Sequence, residues 1–151
     1  MLCPYCASEN ISVVNSRSTK ANSQIWRRRR CCDCQDVFTT YEKIDLSYLK
    51  VIKKSGRREY YQRSKLYSGI YKAASDGRGV DRGTMGLLSE KITDKIERKI
   101  LLTRKKRITT QEVFQLVGEV MRVSYPNIWV RYLSYFSGDD MTIFKTNLGL
   151  S

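Results

Sequence analysis

The five cysteines carry the most specific chemistry in this sequence, and their spacing assigns four of them to one role. Cys3-Pro4-Tyr5-Cys6 is one Cys-x-x-Cys pair and Cys31-Cys32-Asp33-Cys34 is a second. Each short turn presents two sulfurs to one metal, and four thiolates close a tetrahedral structural zinc site with no open position. Cys3, Cys6, Cys31 and Cys34 are therefore the candidate ligands of one zinc ion per chain. Cys32 sits at an x-position beside the knuckle, too close to Cys34 to pair with it. The alternatives are two disulfides or one redox pair. Disulfides conflict with a reducing cytoplasm, and a redox motif gives the second pair no purpose. A segment this small has too little core to fold alone, so metal serves as its staple.

Between the pairs, Arg27, Arg28, Arg29 and Arg30 run without interruption. On a strand, alternate side chains point to opposite faces, so the four cannot share one solvated face. The planar guanidinium fork suits phosphates and guanine edges. Inside a metal-fixed segment, the run reads as a nucleic-acid contact in preference to a plain charged edge.

The balance of charge supports polyanion partners. Lys and Arg number 28 against 15 acidic residues, a net of +13. Residues 1 to 45 hold seven basic and five acidic residues, leaving +2, and residues 46 to 151 hold 21 and ten, leaving +11. Nucleic acid, nucleotide phosphates or an anionic membrane surface would attract such a chain. No apolar run approaches the roughly 18 residues of a membrane span, and Met1-Leu2-Cys3-Pro4 has no signal-peptide character. The expected compartment is the cytoplasm. The chain has no histidine, which excludes Ser-His-Asp and Cys-His catalysis and any mixed Cys/His zinc site. A Gly-x-x-x-x-Gly-Lys-[Ser/Thr] phosphate loop is also missing. No enzyme is expected.

The elements that must position these residues are legible in outline. Strands are expected at Ile11 to Val14, Gln24 to Arg30 and Val37 to Ile44, with a polar loop at Ser18 to Ser23. Val51 to Tyr61 reads as strand, turn and strand, with the turn at Ser55-Gly56. Leu66, Ile70, Ala73 and Ala74 recur at helical spacing, and Asp76 to Gly79 break that helix. Leu88, Ile92, Ile96 and Ile100 mark a second helix. Arg104 to Arg107 read as a basic loop. Thr109-Thr110-Gln111-Glu112 resembles a capping box that opens a third helix. Trp129, Tyr132, Leu133 and Phe136 form a fourth apolar stripe. The expected fold class is α+β: a three-stranded zinc ribbon over residues 1 to 45, a hairpin with about four helices over 46 to 140, and a tail over 141 to 151.

These motifs together resemble the NrdR family of transcriptional repressors. Cys3-Pro4-Tyr5-Cys6, Asn15-Ser16-Arg17, Arg27 to Arg30, Cys31-x-x-Cys34 and Phe38-Thr39-Thr40-Tyr41-Glu42 are similar to its zinc ribbon. Val51-x-Lys53-x-x-Gly56-x-Arg58-Glu59, then Lys65-Leu66 and Gly69, resemble the opening of an ATP-cone. Val130-Arg131-Tyr132-x-Ser134 resembles its last helix. The resemblance covers about residues 1 to 136. It implies a ribbon that binds double-stranded DNA operator repeats of ribonucleotide reductase genes through Arg17, Arg27, Arg28, Arg29, Arg30, Thr39 and Thr40. It implies a cone that senses ATP and dATP through Val51, Lys53, Arg58, Glu59, Lys65, Leu66, Tyr132 and Tyr135. Nucleotide would switch a homo-oligomer and so change DNA affinity. Two other classes are a regulatory cone of a reductase, for which no catalytic domain follows, and a ribosomal or RNA-polymerase ribbon subunit, in which Lys53 and Lys65 would have no purpose.

Overall fold

The computed structural model describes residues 1–18, 24–77 and 79–137. Most of the polar loop at Ser18 to Ser23, Arg78 of the helix-breaking segment and the tail over 141 to 151 lie outside the described residues. The chain divides into two compact units, Met1–Asp45 and Leu46–Ser151.

The first unit is an antiparallel sheet of β1 (Ile11–Ser18), β2 (Gln24–Cys31) and β3 (Val37–Lys43), in the order β1-β2-β3. β1 runs four residues past the apolar stretch that marks it in the sequence. Asn15, Ser16, Arg17 and Ser18 have no strand signature of their own, and pairing with β2 holds them extended. The register shifts by one residue between Val13 and Asn15, a bulge at Val14. Among the described residues of this unit only Cys3 and Cys31 are buried. Val13, Val14, Ile25 and Tyr41 are exposed. Ile11, Trp26, Val37 and Phe38 are only half-buried, so apolar burial is too small to hold the sheet alone, and the cysteine end must supply the rest.

The second unit starts with a 3-10 turn, Leu46–Tyr48. Then follow β4 (Lys50–Ile52), β5 (Arg58–Tyr60), α1 (Arg63–Ser75), α2 (Arg82–Leu102), β6 (Arg107–Thr109), α3 (Thr110–Ser124) and α4 (Pro126–Ser137). The hairpin expected from the sequence has a third strand. β6 lies parallel to β4, giving the order β5-β4-β6, and Arg107 leaves the expected basic loop to become its first residue. A three-residue strand with one apolar side chain has no detectable period. It forms because Ile108, 1% exposed, packs with Val51 under the sheet.

The core comes from the expected stripes: Leu66, Ile70, Ala73 and Ala74 of α1, Ile92, Ile96 and Ile100 of α2, Val117 and Met121 of α3, and Trp129 and Leu133 of α4. Phe114 stacks on Phe136 at 3.9 Å between ring centres and tilts against Trp129 at 5.3 Å, which fixes α4 on α3. Gly118 permits that approach, since a Cβ there would lie 3.2 Å from Trp129 Cη2. Two caps set the helix starts. The Asp81 carboxylate accepts from the Gly83 and Thr84 amides at 3.2 and 3.0 Å. Thr109 and Glu112 form the reciprocal capping box, with Glu112 N–H donating to Thr109 Oγ1 at 3.1 Å and Thr109 N–H donating to Glu112 Oε2 at 2.7 Å. Arg63, at the first position of α1, pairs with Glu90, Asp94 and Glu97 along one face of α2. The Tyr61 hydroxyl donates to Glu97 Oε1 at 3.0 Å beside it.

Candidate functional site

The sulfurs of Cys3, Cys6, Cys31 and Cys34 all lie within 4.8 Å of one another. Cys3 Sγ is 3.6 Å from Cys34 Sγ, and Cys6 Sγ is 3.5 Å from Cys31 Sγ. Both distances are far beyond the roughly 2.05 Å of a disulfide. They are close to the edge of a tetrahedron with zinc–sulfur bonds of about 2.3 Å. The donor set fits zinc. Cys32 is exposed and outside the cluster.

The two knuckles are built alike. Ala7 N–H donates to Cys3 O at 2.9 Å, and Gln35 N–H donates to Cys31 O at 3.1 Å. Cys3 N–H donates to Ser8 O and Cys31 N–H donates to Asp36 O, at 2.8 and 3.0 Å. The residue after each second cysteine turns left-handed, with φ of 58° at Ala7 and 64° at Gln35. Backbone amides aim at the sulfurs as a result: the Cys34 and Asp33 N–H groups draw the Cys31 thiol down to about 6, whereas burial and the neighbouring sulfurs push the Cys34 thiol up, a crowding that a bound cation would relieve. Asp33 ties the knuckles together, accepting from Ser8 Oγ and from Asn10 Nδ2 at 3.1 Å. A left-handed backbone strains an alanine and suits a glycine. Ala7→Gly is expected to tighten zinc retention in a chelator competition by a few-fold, as about 1 kcal/mol of relieved strain implies. Weakened retention would show that the turn is not strained.

The arginine run divides between the faces of the sheet. Residues paired across antiparallel strands share a face. Arg27 pairs with Thr40, and Arg29 with Phe38. Both reach Glu42: Arg27 Nη2 donates to Glu42 Oε2 at 3.2 Å, and Arg29 Nη2 lies 3.6 Å from Glu42 Oε1. Arg27 Nε is 2.7 Å from Glu42 Oε1 but not aligned as a hydrogen bond, so that approach is a charge contact. Arg29 Nε also donates to Thr40 Oγ1 at 2.9 Å. Arg28 and Arg30 project from the other face, where Arg28 pairs with Thr39 and Asn15. Arg17, opposite Trp26, joins them there. Among the described residues Arg17, Arg28 and Arg30 have no ion-pair partner. The seven residues singled out for DNA thus fall into an open group (Arg17, Arg28, Arg30, Thr39) and a clamped group (Arg27, Arg29, Thr40). Glu42, which clamps them, stands in the Phe38 to Glu42 motif, but nothing in the sequence marks it as the partner of Arg27 and Arg29.

In the second unit the structure gathers three of the residues singled out for nucleotide. Glu59 Oε1 is 2.8 Å from Lys53 Nζ, and Glu59 Oε2 is 3.0 Å from Lys65 Nζ. Lys53 and then Lys65 hold the Glu59 carboxyl down to about 2. The turn that carries Lys53 is closed by Lys53 N–H to Arg57 O at 2.8 Å, with Gly56 at φ 81°. Val51, paired with Glu59, and Leu66 are buried below. Tyr132 lies against Gly69, where a Cβ would be 3.3 Å from its Cε2. Burial pushes its hydroxyl up to about 12. Two of the expected residues are elsewhere. Arg58 neighbours Glu59 on β5 and so points to the opposite face of the sheet. Tyr135 donates to Asp76 Oδ2 at 2.6 Å with Lys72 Nζ 4.1 Å from its ring centre, at the far end of α1.

Comparison with known proteins follows the same division. Residues 1–42 match the family model for the NrdR-like transcriptional repressor N-terminal domain, a zinc ribbon, and residues 49–140 match the ATP cone domain. The chain is 37% identical over 149 residues to a protein named transcriptional repressor NrdR from Thermoanaerobacter sp. (strain X514), covering 98% of this chain and 91% of that one. A protein of the same name from Agathobacter rectalis is 37% identical, with 98% and 95% covered. Another from Pelotomaculum thermopropionicum is 39% identical over 136 residues, with 90% and 79% covered.

Proposed function

The chain belongs to the NrdR-like family of transcriptional repressors, regulators rather than enzymes, and from that premise we propose that it represses ribonucleotide reductase genes in response to ATP and dATP. The observation that carries this reading is the pairing, in one chain, of a thiolate-pinned ribbon bearing three arginines without counter-ions among the described residues and a unit that gathers two lysines on one glutamate. The ribbon, with one zinc per chain, takes double-stranded operator DNA through Arg17, Arg28, Arg30 and Thr39. Phosphate can also draw Arg27 and Arg29 away from Glu42.

The cone takes the nucleotide. Lys53 and Lys65 neutralise the triphosphate as mobile point charges. Their shared partner Glu59 then loses its counter-ions and is released to accept from the sugar or from the adenine amino group. Val51, Leu66 and Tyr132 form the apolar border. A nucleotide shifts assembly only by its differential affinity for two assemblies, so ATP and dATP are read as favouring different homo-oligomers with different DNA affinity. The compartment is the cytoplasm, at the nucleoid when the operator is occupied. No helix among the described residues is long and apolar enough to cross a membrane.

The test is DNA binding by the full chain on regions upstream of ribonucleotide reductase genes, with ATP or dATP added. The expected result is affinity that depends on which nucleotide is present. Lys65→Ala is expected to bind dATP roughly tenfold or more weakly, through loss of a charge-assisted contact, and to uncouple DNA affinity from dATP while zinc and helix content stay constant. Wild-type dATP affinity in both Lys53→Ala and Lys65→Ala would sink this pocket. An intact chain that binds neither nucleotide would sink the nucleotide response.

A further inference from the structure

We propose that the outer face of the β5-β4-β6 sheet is a second surface for the backbone of double-helical DNA, resting on the repressor reading above. The register places Tyr60, Lys50 and Arg107 in one row across the three strands, and Arg58, Ile52 and Thr109 in the next. All six side chains point away from Val51, Glu59 and Ile108. Lys50, Arg58 and Arg107 are exposed, and among the described residues none of them has an acidic partner. Lys50 Nζ has only the Tyr60 ring, 5.7 Å to its centre. Tyr60 is itself 59% exposed.

Several cations elsewhere in the unit meet acids: Lys53 and Lys65 at Glu59, Arg63 on α2, Lys99 at Glu119 and Lys105 at Glu112; others, such as Lys54, Arg104 and Lys106, have none among the described residues, and what marks this face is three such cations set on one small sheet. The carboxylate closest in sequence to β6, Glu112, is taken by Thr109 and Lys105. Lys50 and Arg107 are direct neighbours across two strands, and like charges so placed repel. An anion laid over the row removes that repulsion. Strands about 4.8 Å apart put Arg107 and Arg58 roughly 12 Å from each other on the diagonal, close to the span of two phosphate steps along one strand. A sheet surface of this kind can lie along a backbone, and Tyr60 offers a hydroxyl to a phosphate oxygen. Such contacts position a duplex without reading its sequence. They also give a use to part of the +11 that residues 46 to 151 hold.

The experiment is an anisotropy titration of the full chain on an upstream duplex and on a random duplex of equal length, between about 50 and 200 mM salt. In Arg58→Ala/Arg107→Ala, the slope of log affinity against log salt is expected to be about 1.8 shallower on both duplexes, as two lost phosphate contacts imply. Zinc content and dATP affinity should be unchanged, and Arg58→Lys/Arg107→Lys should keep the wild-type slope. An unchanged slope in the alanine pair overturns the inference and leaves the repressor reading intact. Loss of slope in the lysine pair overturns it too, because charge would then not be the cause. A fall in dATP affinity would give this face to the nucleotide and overturn it. A wild-type chain that binds neither duplex overturns the repressor reading, and this inference with it.

Discussion

The Cys34→Ser chain is expected to carry no zinc and no folded ribbon, whereas the Cys32→Ser chain keeps both. The cause is the lack of any other support for the first unit. Among its described residues only Cys3 and Cys31, both members of the sulfur cluster, are buried; its apolar strand residues are exposed or, at Ile11, Trp26, Val37 and Phe38, only half-buried. Structural zinc sites bind with roughly 10–16 kcal/mol, and in a domain without a core that energy is the folding energy. A three-thiolate remnant leaves one corner of the metal's tetrahedron without its sulfur. The second unit has its own core across four helices, so helix content measured by circular dichroism should persist while the ribbon's amide signals collapse to unfolded positions. Metal analysis of the two purified variants decides the ligand set. Zinc lost from Cys32→Ser, or retained at one per chain by Cys34→Ser, would show that the four sulfurs brought together here are not the ligands.

The second large effect separates arginines that the sequence presents as equals. Arg28→Ala/Arg30→Ala is expected to weaken operator binding by roughly a hundredfold or more, since each removes a charge-assisted contact, and to flatten the salt dependence by about 1.8. Arg27→Ala/Arg29→Ala is expected to cost only a few-fold. Those two side chains already hold Glu42 and Thr40, and a phosphate must compete with those partners to recruit them. The second pair should instead lower the ribbon's resistance to chelator, because Glu42 is left without a counter-ion. The opposite ranking in gel shifts would place the duplex on the Glu42 side of the sheet.

How far the sequence could be read depended on how local each signal was. The knuckles were legible because two residues of spacing fix where a pair of sulfurs points. The four helices were legible from their apolar periods, and the α3 start from Thr109 and Glu112 within one turn. β6 was not, because three residues with a single isoleucine carry no period, and the strand exists only as a neighbour of β4. Arginine alternation was foreseen as a principle, yet the clamping face could not be known without the β2–β3 register that sets Glu42 beside Arg27. Lys53, Glu59 and Lys65 meet because a hairpin and a helix start converge. The resemblance pointed to all three residues, but it did not indicate that Glu59 bridges the two ammoniums. Tyr132 and Tyr135 are near neighbours on one helix. Burial against Gly69 holds the first and a bond to Asp76 holds the second, and those contacts separate their surroundings.

The bulge at Val14 acts as a phase shift. With uninterrupted pairing after Val13, Asn15 would meet Arg27 and Arg17 would meet Ile25, on the side where Glu42 waits. The extra residue inverts the parity of everything after it, and Arg17 emerges opposite Trp26 beside Arg28. The number of residues in β1, as well as their kinds, therefore encodes which cations share a face. A surface strand ordinarily tolerates change. Here, removing one residue from an exposed and chemically ordinary position would rewire the charge pattern of a whole face while leaving every arginine in the chain.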